Sequence, residues 1–368
     1  MRLRVSAARL TRHGPWDLAV LRIVILAMFL GELLVTGLVQ IPILLHPTAI
    51  GSDTSNYFAA GERLNAGHFL YGPLLAGDRL VPGYPTSLPA PLLSPPLIAV
   101  IFRPLAMLPP TVAMTLWWLG GLALVIGVML TVIARGRPRH LLGLGVVLAL
   151  GLPLTFMRNG PYPYPGFDSP VSIAALTGNL NAYLFALFAL FWWAAAHGRP
   201  GLSGAAAGLA AVLKLSPVFL AWWLIMQRSW RGLKAFAVTA LVLALAGLVF
   251  AGVDATVQYV HLAIGNNVHP QALSALRLLN SLHAPGVIRS HATLFVVAAG
   301  IAMMAILRNR PRASFTVAIL TAIYSSPVVL PGNFILLAAA AAPWAIRAPV
   351  PRRDAADPTV IEPTGMIA

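Results

Sequence analysis

The chain has 368 residues, of which 58% are hydrophobic and only 10% are charged, whereas about 25% charged residues is usual for a soluble domain. It contains no cysteine, which excludes a disulfide framework and a thiolate metal site. The net charge of +15 could suit nucleic acid, but the basic residues lie in short segments between apolar runs, as orientation signals of membrane proteins do. The composition therefore predicts an all-α, polytopic membrane protein with one integral membrane domain over residues 1–368 and no nucleic-acid partner.

Apolar runs, most of them long enough to span a bilayer, follow one another along the chain. The first run is too long for a signal peptide and lacks a small-x-small cleavage site, so we interpret it as an anchor that stays. Together with two ambiguous runs, 92–108 and 202–226, the runs predict about 8–11 membrane segments. The 31 Gly and 31 Pro predict that many of these helices are short or kinked. The assigned runs are 18–45, 110–134, 141–157, 178–196, 233–251, 291–307, 313–329 and 333–346.

The basic residues predict the orientation of these segments. The first sixteen residues, 135–140, 197–201, 227–234, 308–312 and the tail from 347 together hold 17 Lys or Arg, against five in the loops on the other side. This imbalance places both termini in the cytoplasm. It also requires 92–108 to dip into the bilayer or cross twice, and 202–226 to form a hairpin of two short helices broken at "LKLSP".

Three loops then face away from the cytoplasm, at 46–91, 158–177 and 252–290, and the tail 347–368 is expected to be a disordered cytoplasmic segment. Chemistry is expected in these loops, because the cytoplasmic connections are too short to build a site. In the first loop, Tyr57, Phe58 and Leu64 alternate with polar residues, which predicts an amphipathic helix lying along the bilayer surface with its apolar side in the headgroup region. Asp53 stands at its start, either as an N-cap or as a general base.

Several segments carry a family pattern. "SDTSNYFAAGERLNAGHFLYG" (52–72) resembles the first extracytoplasmic loop of glycosyltransferase family 87, with Asp53 followed by an aromatic-Ala stretch, a Gly and a Leu-Tyr pair. The resemblance continues in "SPPLIAVIFRPLAMLPPTVAMTLWW" (94–118), "GNLNAYLFALF" (178–188) and "GAAAGLAAVLKLSPVFL" (204–220). It covers about residues 50 to 235. Beyond that point, "GNNVHPQALSALRLLNSLH" (265–283) occupies the region where the family has an Asn-Gln-Ser element.

The resemblance implies a GT-C-type helical bundle in the plasma membrane. It implies transfer of a sugar, mannose or a pentose such as arabinofuranose, from a polyprenyl-phosphate donor to a lipid or cell-envelope glycan, with inversion. Asp53 matches the base that deprotonates the acceptor hydroxyl on the extracytoplasmic side. Because a phosphate leaves as a stable anion, no protein acid is needed, and we expect neither a cofactor nor a metal.

The departing phosphate needs positive charge or hydrogen-bond donors. Lys214 lies within an apolar run, where an ionisable residue is costly and therefore a candidate functional residue, and it matches the Lys-x-x-Pro element of the family. The alternative is a snorkelling or helix-end lysine. Arg158, Arg289 and His291 are further candidates for the phosphate site, although His291 also suits a polar interfacial position.

Four further residues are candidates for contact with the acceptor or the sugar: Tyr57, Tyr84, Asn179 and Asp168. Aromatic rings suit sugar faces, but they also suit the membrane interface. A carrier or flippase for a polyprenyl-linked sugar is the competing function. It predicts inverted internal repeats with ionisable residues in both halves, and the sequence shows no such repeat. A scaffold subunit would leave Asp53 and Lys214 without a role.

Overall fold

The computed structural model of the protein describes residues 15–45, 52–68, 70–71, 92, 94–150, 170–171, 174, 178–265, 275–283, 285–326, 329 and 331–342. Regular structure in these residues is entirely helical, which confirms the predicted all-α class. In chain order the helices are α1 (Pro15–Leu45), α2 (Ser52–Asn65), α3 (Pro96–Leu105), α4 (Pro110–Arg135), α5 (Pro138–Ala149), α6 (Asn181–Ala196), α7 (Pro200–Leu213), α8 (Phe219–Met226), α9 (Trp230–Ala251), α10 (Val253–Gly265), α11 (Ala275–Ser281), α12 (Gly286–Ser290), α13 (Ala292–Ile306) and α14 (Pro311–Tyr324), with 3-10 helices at Ser216–Val218 and Pro331–Ala341.

Proline sets where many of these helices begin. Proline is tolerated at the first helical position because its fixed φ suits the helix and its missing N–H would have no intrahelical acceptor there. It occupies the first position of α3, α4, α5, α7 and α14. The high proline content therefore divides the chain into separate helices and does not prevent helix formation.

The predicted apolar runs correspond to helices with two differences. Six runs coincide with α1, α4, α6, α9, α13 and α14. The run 141–157 forms α5 only to Ala149, and residues 151–157 lie outside the described residues. The run 333–346 forms a 3-10 helix over Pro331–Ala341. By length and composition, α4 and α9 are the two described helices that could cross a membrane.

Both ambiguous runs contain short helices. In 92–108 the helix α3 has 10 residues, which spans about 15 Å at 1.5 Å per residue, half the thickness of a bilayer core. A helix this short favours the alternative in which the run dips into the bilayer without crossing. In 202–226 the chain breaks at Lys214, and the 3-10 turn Ser216–Val218 leads into α8. The predicted break at "LKLSP" is confirmed.

Helix α6 forms the centre of the bundle and packs against α4, α7 and the C-terminal 3-10 helix. Its buried aromatic side chains join those of α8 and α14. Trp192 stacks on Phe315 with ring centroids 4.9 Å apart, and Trp223 meets the edge of Phe191 at 5.2 Å. Such pairs add about 0.5–1.5 kcal/mol each beyond the area they bury, so they hold α6 firmly in place.

Helices α7 and α9 approach very closely because glycines line their contact. A Cβ at Gly208 would lie 2.8 Å from the carbonyl oxygen of Phe236, and one at Gly204 would overlap the carbonyl of Gly232. The outer side of α9, by contrast, is exposed and apolar along its length, including Leu241 and Val249. This is the arrangement expected of a helix with one side on the bundle and the other in lipid.

Helix α2 packs on protein. Its residues Tyr57 and Phe58 are buried, and a Cβ at Gly61 would lie 2.6 Å from the carbonyl oxygen of Phe102 in α3. The prediction that the apolar side of this surface helix rests in the lipid headgroups is therefore wrong, because α3 and α4 cover it. This packing fixes Asp53 relative to the bundle.

Candidate active site

Asp53 lies in the first turn of α2, where the positive end of the helix dipole favours a carboxylate. It is partly exposed, and its Oδ2 accepts a hydrogen bond from Nδ2 of Asn179 at 2.6 Å. This bond joins residues 126 positions apart in the chain. A purely local cap at the start of α2 would not require a partner from a distant segment.

A tight turn before α6 presents Asn179 to Asp53. Gly178 adopts a positive φ of +59°, and a Cβ at this position would overlap Oγ1 of Thr54. The carbonyl of Gly178 accepts a hydrogen bond from Nε1 of Trp117 at 2.9 Å. Only glycine fits this conformation and this close approach without strain, so Gly178 allows the α6 turn to reach the start of α2.

Asn181, the first residue of α6, connects Asn179 to two further segments. Its backbone N–H donates to Oδ1 of Asn179 at 2.9 Å. Its Nδ2 donates to Oδ1 of Asn333 at 2.8 Å, and its Oδ1 accepts from Nζ of Lys214 at 3.3 Å. Asn181 and Asn333 are 2% and 4% exposed, so these bonds are made away from solvent.

The two charged ends of this network determine how its amides are oriented. An ammonium only donates and an ionised carboxylate only accepts. Lys214 must therefore meet the oxygen of Asn181, which turns the nitrogen of Asn181 towards Asn333. Likewise the carboxylate of Asp53 must accept a hydrogen bond from the nitrogen of Asn179. The oxygen of Asn179 is then left to accept from the backbone N–H of Asn181. The hydrogen bonds are thus mutually consistent from Asp53 to Lys214.

Lys214 owes its position to the break after α7. It is the C-cap of that helix, with an extended backbone, and the 3-10 turn Ser216–Val218 follows it. Its side chain is half-buried, and its charge interacts with that of Asp53. The structure thereby brings a carboxylate and an ammonium into one site, from segments on either side of α6.

Aromatic residues surround the carboxylate end of the site. Burial, followed by the nearby charge of Asp53, raises the pKa of the Tyr57 hydroxyl well above its usual range, so this hydroxyl stays protonated. Tyr57 meets the edge of Trp117 with centroids 6.2 Å apart, and Trp117 stacks on Tyr183 at 4.1 Å. A narrow crevice is lined by Trp117, Tyr183 and Asn179.

Two predicted phosphate ligands lie in another part of the chain. Arg289, in α12, is exposed and donates to Oδ1 of Asn280 at 3.4 Å. His291, between α12 and α13, is exposed, with Nδ1 lying 3.0 Å from the carbonyl oxygen of Val287. Both contacts are local to α11–α13, and the roles of these two residues stay predictions.

Three predicted site residues, Tyr84, Arg158 and Asp168, lie outside the described residues. In the part of the chain that the structure describes, no group of three or more His, Asp and Glu side chains is arranged to hold a metal ion. The structure thus joins Asp53, Tyr57, Asn179 and Lys214 from the set predicted by sequence.

Sequence reasoning missed Asn181 and Asn333. Both are amides in apolar surroundings, where an unpaired polar group is costly, and this cost was a usable signal. It was overlooked because an uncharged amide stands out less than Lys214 does. Asn333 also follows a Pro-Gly pair, where an asparagine suggests an ordinary turn.

The comparison with known families identifies the family of this chain. The model of glycosyltransferase family 87 matches residues 93–331, well over half of the chain. The match includes Asn179, Asn181 and Lys214, whereas Asp53 precedes it and Asn333 follows it. No curated protein and no solved structure matches the chain significantly. On the extent of the family match, this chain belongs to glycosyltransferase family 87.

Proposed function

We propose that this protein is a multi-pass membrane glycosyltransferase that uses a polyprenyl-phosphate sugar as donor and a lipid or cell-envelope glycan as acceptor. The observation that carries the proposal is the hydrogen-bonded connection from Asp53 through Asn179 and Asn181 to Lys214. It provides a base and a cation in one site, which are the two groups that transfer from a phosphate leaving group requires.

Asp53 acts on the acceptor. Its carboxylate takes the proton of an acceptor hydroxyl while the hydroxyl oxygen attacks the anomeric carbon of the donor sugar. The bond between that carbon and the phosphate oxygen breaks on the opposite face, so the configuration inverts. The hydrogen bond from Asn179 holds the carboxylate in a fixed orientation for this step.

Lys214 acts on the donor. The phosphate gains negative charge as its bond to the sugar breaks, and a cation placed where that charge develops lowers the barrier. Lys214 is half-buried beside the buried amide of Asn181, where its charge is less screened than on an open surface. The polyprenyl phosphate then departs as an anion, without a proton from the protein.

The apolar helices support the location. Helices α4 and α9 have the length and composition of membrane spans, and α9 exposes an apolar side. The excess of Lys and Arg on one set of loops favours cytoplasmic termini and an extracytoplasmic site. Mannose is our first choice of sugar and arabinofuranose the second, both from the family resemblance.

Asp53→Asn tests the proposal in purified protein reconstituted with a polyprenyl-phosphate mannose and a lipid extract. We expect sugar transfer to fall by about 10²- to 10⁴-fold, as is typical on losing a general base. Asp254→Asn is the matched control, because Asp254 is an exposed acid in the first turn of α10, and it should retain transfer. Equal transfer by wild type and Asp53→Asn would refute the assigned base. If wild type transfers no sugar but moves the lipid-linked sugar across vesicles, the protein is a carrier.

A further inference from the structure

We propose that Asn181 is a positioning residue that holds the Lys214 ammonium with an uncharged acceptor, so that no directly hydrogen-bonded carboxylate competes with the donor phosphate for Lys214. We further propose that Asn333 fixes the orientation of the Asn181 amide. The inference rests on the proposed function, since it concerns the phosphate end of the same site.

The geometry assigns Asn181 to this role. Its Oδ1 is the hydrogen-bond partner of Lys214 in the described part of the chain, at 3.3 Å. An ammonium has three N–H donors, so two remain for phosphate oxygens. Because Asn181 is the first residue of α6 and is 2% exposed, its side chain cannot move far from this position.

The neutrality of Asn181 is the decisive property. A half-buried lysine needs an acceptor to offset the partial loss of its hydration. An aspartate at this position would supply one, but it would also neutralise the ammonium, and an incoming phosphate would have to compete with a carboxylate. An amide oxygen satisfies one donor and leaves the net charge of the site unchanged. The site therefore gains order without losing attraction for an anion.

Asn333 stabilises the orientation of Asn181 that Lys214 requires. Its Oδ1 accepts from Nδ2 of Asn181 at 2.8 Å, and it lies in the buried 3-10 helix Pro331–Ala341 that packs on α6. This bond therefore adds to the preference that Lys214 itself imposes, and it stabilises the orientation in which the Asn181 nitrogen faces away from Lys214. A flipped amide would direct its NH₂ group at the ammonium, which is a repulsive contact between two donors.

The experiment measures binding of polyprenyl phosphate, without a sugar, to the full-length protein in nanodiscs. Asn181→Asp has nearly the same size as the native side chain but adds a charge, and Asn181→Ser keeps an uncharged oxygen. We expect Asn181→Asp to weaken binding by about tenfold or more, the scale of one charge-assisted hydrogen bond. Asn181→Ser should weaken it much less. In turnover assays, Asn181→Asp should raise the KM for the donor more than it lowers kcat.

A second variant, Asn333→Leu, keeps the inference testable if Asn181→Asp does not fold. It should weaken polyprenyl phosphate binding severalfold, while the position of Asp53 and the KM for the acceptor stay unchanged. Unchanged affinity in Asn181→Asp, or equal losses in Asn181→Asp and Asn181→Ser, would overturn the inference, because a structural role does not depend on charge. The proposed function would still hold after such a result if the wild type transfers sugar and Asp53→Asn does not. If wild type does not bind polyprenyl phosphate at all, both fail.

Discussion

The sequence predicts phosphate-binding residues in two regions, and the structure places these two regions in different environments. Lys214 ends α7 at a break inside the bundle, where it is half-buried, bonds to Asn181 and interacts with the charge of Asp53. Arg289, on the short helix α12, and His291, between α12 and α13, are exposed and contact residues from their own segment. Both regions contain a positive or titratable group on the predicted outer side of the chain.

The difference shows what makes a cation useful to a reaction. A charge on an exposed helix is screened by water and salt, and its side chain samples many conformations. A charge at a helix break within a bundle is held by its backbone and by the amides around it. We therefore expect Lys214 to dominate the phosphate interaction.

Substitution of Lys214 should produce the largest effect in this comparison. Lys214→Gln keeps a polar side chain but removes the charge, and we expect donor kcat/KM to fall by about 100-fold, a loss of about 3 kcal/mol. Lys214→Arg serves as the matched control and should retain part of the activity, because the charge remains while its geometry changes. The measurement is sugar transfer at varied donor concentration. Wild-type kinetics in Lys214→Gln would assign the phosphate to another cation.

Disruption of the turn before α6 should disturb the packing around Asp53 and Lys214 without removing a charged side chain. In Gly178→Ala the new methyl group would overlap Thr54 at a positive φ, and we expect a destabilisation of about 2 kcal/mol or more together with lost transfer. Gly67→Ala is the control, because Gly67 also has a positive φ, of +70°, but no atom lies within 4 Å of its added Cβ. That variant should cost only about 1 kcal/mol. Thermal unfolding and transfer assays compare them, and equal stability of the two variants would contradict the close approach at Gly178.

Removal of the exposed cations should have the smallest effect. In Arg289→Gln and His291→Asn we expect donor kcat/KM to change by less than about fivefold, because an exposed polar or charged contact contributes at most about 1 kcal/mol. Donor kinetics at low and moderate salt check this expectation. A tenfold rise in donor KM for Arg289→Gln would show that α12 reaches the phosphate during turnover, and it would reverse the ranking of the two regions.

Much of the fold follows from local sequence. The apolar runs predicted most of the helices, and the break at "LKLSP" falls between α7 and α8 as expected, because Pro217 cannot continue an α-helix and Lys214 ends one. Asp53, Asn179 and Lys214 were recognised from the order of family motifs along the chain. Each of these signals is contained within a short segment.

The failures arise where a contact joins distant segments. The amphipathic pattern of α2 predicted one apolar side correctly, yet periodicity does not say whether lipid or protein covers that side. The close approach of Gly61 to the backbone of Phe102 shows that protein covers this side. Asn333 escaped notice because its significance depends on Asn181, a residue 152 positions earlier in the chain.

By itself, the sequence determined that the chain is helical, apolar, punctuated by proline and supplied with one well-placed carboxylate and one lysine in an apolar run. These are properties of composition and of neighbouring residues, so they need no knowledge of the fold. Only the tertiary structure decided that hydrogen bonds through Asn179 and the buried Asn181 connect Asp53 to Lys214. Hydrogen bonds of this kind depend on positions in space, which the packing of α2, α6, α7 and the C-terminal 3-10 helix sets together.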